Sequence, residues 1–150
     1  MKMLTLYIFL FSVLSGCTDE NMISEKGNLK NENDNKGCIP AVVDNQTYNN
    51  INPGGFTIDT AYIINDDLNV TLSYYGRNDD VHAILYSNDC IFETLPLQRD
   101  IRILFKNNNP VNVVLLKKDF CFELVPLQAP NANTLVFNLE GWNQGLLYNY

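Results

Sequence analysis

Histidine is all but missing from this chain: His82 stands alone among 150 residues. One imidazole cannot build a multi-histidine metal centre. The motifs "GxSxG", "HExxH" and "CxxC" and the phosphate-cradling glycine loop are also lacking, so no hydrolase elbow, zincin helix, redox pair or nucleotide loop is legible. On an alternating stretch beside Val81 and Ala83, His82 reads as an ordinary strand residue. Basic residues are scarce as well, 10 against 17 acidic. A chain of that charge, with no basic stripe, is repelled by phosphate backbones, which sets nucleic acid aside as a partner. Long apolar runs are missing too. The longest, Met3 to Leu14, has 12 residues, where a membrane-crossing helix needs roughly 20.

What is present begins with that short run. Lys2, the apolar stretch and the small residues before Cys17 have the order of a secretory signal peptide. Leu14, Ser15, Gly16 and Cys17 resemble the lipobox of bacterial lipoproteins, position by position. The resemblance implies cleavage after residue 16, a diacylglyceryl group on the Cys17 sulfur and an acyl chain such as palmitate on its new amino group. Two or more chains give lasting membrane attachment where one does not. Removing residues 1 to 16 takes away one cation, Lys2, and leaves a net charge of −8. Residues 17 to 37 are polar and include only three sizeable apolar side chains, Met22, Ile23 and Leu29. They form a flexible tether, whose last 20 residues span roughly 25 Å as a random coil. Thr18 is not the aspartate that marks inner-membrane retention, and Asp19 with Glu20 resembles a surface-export signal. The expected location is the outer membrane, on its periplasmic face or at the cell surface.

Residues 38 to 150 are enough for one domain. Phe56, Ile58, Tyr62 and Ile64 alternate with other residues, as do Leu68, Val70, Leu72 and Tyr74, with a turn at Asn65 to Asp67. Period two with a polar turn predicts a hairpin. The same alternation returns at Val81–Ser87, Asp100–Lys106, Val111–Lys117, Phe120–Leu124, Thr134–Glu140 and Gly145–Tyr150. No segment sustains a helical period. The expected fold is all-β, an antiparallel sandwich of about seven to nine strands. Two segments nearly rhyme, "CIFETLPLQ" from Cys90 and "CFELVPLQ" from Cys121. Proline ends strands, so both read as strand, corner, strand around Pro96 and Pro126.

Val42 to Asn50, Phe122 to Gln128 and Leu135 to Tyr150 resemble small uncharacterised lipoproteins of the Bacteroidota type. That likeness implies a compact secreted β domain on a lipid anchor, with no established activity. It also implies cysteines near Asp67-Leu68 and after Gly76, and this chain has neither. With Cys17 lipidated, Cys38, Cys90 and Cys121 remain, so at most one internal disulfide forms and one thiol is left over. Cys90 with Cys121 is the favoured pair, since they flank similar corners; Cys38, matching a family cysteine without its usual partner, is the competitor for either.

Turns rich in Asn and Asp, at 65–67, 78–80 and 87–89, offer oxygen donors for calcium. The same residues serve turns on backbone grounds, and no metal or other cofactor is expected. Aromatics give the stronger lead. Tyr75 falls out of phase with Tyr74, and Trp142 sits in the turn "EGWNQG". Exposed rings beside amides and carboxylates hold sugars by stacking and hydrogen bonding, so Trp142 and Tyr75 are the candidate ligand-binding residues. A glycosidase needs a cleft holding two carboxyls, which a domain this small rarely encloses. The expectation is therefore a non-catalytic envelope module that binds a glycan or another ligand. The alternatives are a structural lipoprotein with an envelope protein as partner and, behind it, a small glycan hydrolase.

Overall fold

Among the described residues, alternating β-branched, leucine and aromatic residues separated by Asn, Asp, Gly and Pro form nine strands, and the strands stack as two sheets. The structure, a computed structural model, describes residues 37–52, 54–77, 80–108, 110 and 114–150. The expected lipobox, Cys17 and all of the expected tether but residue 37 lie outside these residues. Among the described residues no helix is long and apolar enough to cross a membrane.

The strands are β1 (Ile39–Pro40), β2 (Val42–Val43), β3 (Thr57–Ile64), β4 (Asp67–Gly76), β5 (Val81–Ser87), β6 (Leu97–Asn107), β7 (Val114–Glu123), β8 (Thr134–Leu139) and β9 (Leu146–Asn149). One sheet has the order β1-β7-β4-β3 and the other β2-β5-β6-β8-β9. The all-β sandwich expected from periodicity is present. Its pairings are mixed, because β1 with β7, β2 with β5 and β6 with β8 run parallel. For β6 and β8 the cause is connectivity: the chain leaves β6, crosses to the other sheet as β7, and returns in the original direction.

Inward-facing residues of both sheets meet in one core. Leu68, Val70, Leu72 and Tyr74 of β4 and Phe122 of β7 face Leu85, Ile101, Leu135, Phe137 and Tyr148 from the second sheet, all at most 2% exposed. The β3–β4 hairpin turns at Asn65 and Asp66, with Asn65 at φ 53°, a left-handed conformation that asparagine tolerates. The expected phase of β3 does not persist along the strand. The register shifts between Ile58 and Thr60, so Ala61 and Ile63 turn toward the core while Tyr62 and Ile64 are about half exposed. One extra residue in a period-two strand flips everything beyond it.

The expected strands Val111–Lys117, whose residues 111–113 lie outside the described residues, and Phe120–Leu124 merge into one over Val114–Glu123. β7 runs unbroken through Lys117, Lys118 and Asp119, because these polar residues each pair with a residue of β4. The two proline corners also differ. Pro96 follows a cis peptide bond and leads directly into β6, whereas Pro126 lies in a 3-10 turn, Val125–Leu127, that buries Leu127. The favoured disulfide is corrected as well. Cys121 is bonded to Cys38, with α-carbons 4.7 Å apart. The parallel pairing of Ile39 with Phe122 sets Cys38 beside Cys121, while Cys90 sits on the loop that leaves β5 in the other sheet.

Candidate functional site

Outward-facing polar residues of β6 and β8 gather on the five-stranded sheet, under a helix that periodicity did not reveal. Asp44 starts this helix, α1 (Asn45–Asn50), by accepting hydrogen bonds from the Thr47 amide at 3.0 Å and the Thr47 hydroxyl at 2.7 Å. Those Thr47 bonds hold the Asp44 carboxyl below the usual range. The helix buries Tyr48, whose ring lies 4.4 Å from the Arg102 guanidinium carbon and whose carbonyl accepts from Arg102 Nη1 at 3.0 Å. Burial raises the Tyr48 pKa. Arg102 Nε stands 2.6 Å from Glu140 Oε2, an ion pair off the angle of a hydrogen bond. Next to it, Asn138 donates to Asp100 Oδ1 at 3.0 Å and to Gln98 Oε1 at 3.2 Å.

Gly141 then takes φ 83°, a conformation that favours glycine, and the Trp142 amide closes the turn on the Leu139 carbonyl at 3.0 Å. This brings Trp142 against the core edge. Its indole nitrogen is buried with no hydrogen-bond partner among the described residues. Tyr48, Asp100, Arg102, Asn138, Glu140 and Trp142 together line a hollow of about 280 Å³. A partly exposed ion pair contributes about 0–1 kcal/mol, so fold stability is a weak reason for charges to converge there. A guanidinium, two carboxylates, an amide and an indole around one hollow can hold a ligand dense in hydroxyls.

Tyr75 is 56% exposed, as its phase required, while Tyr74 is buried. It belongs to a second and more apolar hollow, of about 340 Å³, with Phe56, Phe105, Pro110 and Leu115. Trp142 and Tyr75 thus stand at different hollows. Spacing along the chain hid Tyr48, Arg102 and Glu140 from sequence reasoning; an arginine on β6 and a glutamate just past the end of β8 meet only once the parallel pairing of β6 with β8 is known.

The remaining clusters have structural explanations. Cys38, Asp67 and Cys121 bring potential metal-binding atoms within 4.8 Å of one another, but both sulfurs belong to the disulfide. His82 is exposed, 3.7 Å from Asp80 Oδ1. Arg99 is 5% exposed and in phase with Ile101, and burial lowers its pKa; it lines neither hollow.

No family model matches the chain, and no curated protein matches it. Its fold is similar to the crystal structure of a protein of unknown function, DUF1344, from Bacteroides vulgatus. The TM-score is 0.51 at 15% identity, over 75% of this chain and 56% of the other. The chain therefore spans little more than half of that protein's length, and the likeness is one of fold.

Proposed function

We propose that this chain is a non-catalytic ligand-binding module of the bacterial cell envelope, tethered to the outer membrane through lipids on Cys17, and that it holds glycans at the Trp142 hollow. One observation carries the reading. Hydrogen-bonding side chains from α1, β6 and β8 converge on a hollow walled by Trp142.

A glycan array and a panel of glycoside substrates, both on the full-length protein in detergent, test the proposal. Binding is expected without turnover, and Trp142→Ala should weaken it about tenfold or more while the circular dichroism spectrum stays that of the parent. A hydrolase is the second reading, favoured by the presence of Asp100 and Glu140 at one hollow. Turnover abolished by Asp100→Asn or Glu140→Gln would replace the first reading with the second. Silence in both assays would leave an envelope-protein partner.

A further inference from the structure

The Trp142 and Tyr75 hollows are not separate features. Between them lies a third, of about 440 Å³, lined by Gly54, Phe56, Thr57, Ile58, Glu140 and Gly141. It shares Glu140 and Gly141 with the Trp142 hollow. It shares Gly54, Phe56 and Thr57 with the Tyr75 hollow. Each neighbouring pair thus has lining residues in common, and the three hollows adjoin in series as a trough.

The middle of the trough is narrow in side chains. A Cβ built on Gly54 meets no heavy atom within 4 Å, and one on Gly141 meets only Ile58 Cδ1, at 3.7 Å. Two glycines at the waist leave space that any other residue would enter. The ends differ in chemistry. One end offers Arg102, Glu140, Asp100, Asn138 and Trp142; the other offers the exposed Tyr75 ring beside Phe56 and Phe105.

Resting on the glycan reading above, we infer that the ligand is a neutral oligosaccharide chain lying through the waist, with one residue held at Trp142 and another stacked on Tyr75. A monosaccharide fills one end alone and leaves the shared walls unused. A polyanionic glycan is disfavoured by the charge of −8 on the mature chain and by a polar end in which two carboxylates outnumber one guanidinium. Repeating rings linked in a line match a trough with aromatic side chains at both ends and small residues between.

The test is isothermal titration of the full-length protein in detergent with neutral oligosaccharide ladders of glucose, mannose, xylose and N-acetylglucosamine, from the monosaccharide to the hexasaccharide. At least one ladder should tighten by about tenfold or more between its short and long members. Gly54→Trp, which fills the waist, and Tyr75→Ala, which strips one end at an exposed position, should each collapse the ratio of long-chain to short-chain affinity toward one. Two variants keep the test valid if either misfolds. Binding that is lost in Trp142→Ala but has no length dependence in the parent would overturn the trough and leave a single-pocket glycan module. No binding of any ladder at any length would overturn both readings.

Discussion

Tyr148 is fully buried, and its hydroxyl has two partners, donating to Asp66 Oδ1 at 2.6 Å and accepting from Gln128 Nε2 at 2.8 Å. Burial first, then the Asp66 carboxylate, push its pKa from 10.0 to about 12. The raised value means that the fold holds the neutral phenol. The resulting stabilisation is complete below the unfolded value of 10.0 and is lost as pH rises toward the folded value of about 12. Urea unfolding across that window should show stability falling faster in the parent than in Tyr148→Phe, and parallel curves would refute the assignment. Near neutral pH the same variant should be less stable by about 1–3 kcal/mol, since it deletes a hydrogen bond to a charged group.

At the scale of elements, the segment from Cys38 to Val43 does a disproportionate share of closing the sandwich. β1 and β2 have two residues each, yet one joins the edge of each sheet, with the buried Ala41 between them. Two-residue pairings are weak alone, and the Cys38–Cys121 bond clamps them where the segment starts. The bond spans 83 positions, a loop whose closure in the unfolded chain is worth roughly 4 kcal/mol. Cys38→Ser should therefore lower the unfolding free energy by about 2–4 kcal/mol in denaturant titrations; an unchanged midpoint would show that β1 and β2 hold without the clamp. This pairing was not legible beforehand. It follows from the parallel register of β1 on β7, and such short strands carry no periodicity of their own.

On the scale of the whole molecule, the lipid anchor proposed at Cys17 lies outside the described residues. The anchor makes its own prediction. Protein from the native host should partition into detergent, and Cys17→Ala should be released or left unprocessed; equal membrane association of the two forms would remove the lipoprotein reading.

The amino-acid order by itself determined the all-β class, the β3–β4 hairpin, the inward phase of β4 and the outward placement of Tyr75, because each depends on neighbours two residues apart. Trp142 was legible as a turn aromatic, though not as a wall of a charged hollow. Tertiary structure alone decided the mixed pairing, the bulge that reversed the phase of β3, the choice of Cys38 over Cys90 and the company of Tyr48, Arg102 and Glu140. The physical reason is range. Alternation records which face of a strand is buried, but Arg102 bonds a carbonyl 54 positions away, and only strand order and register bring such residues together.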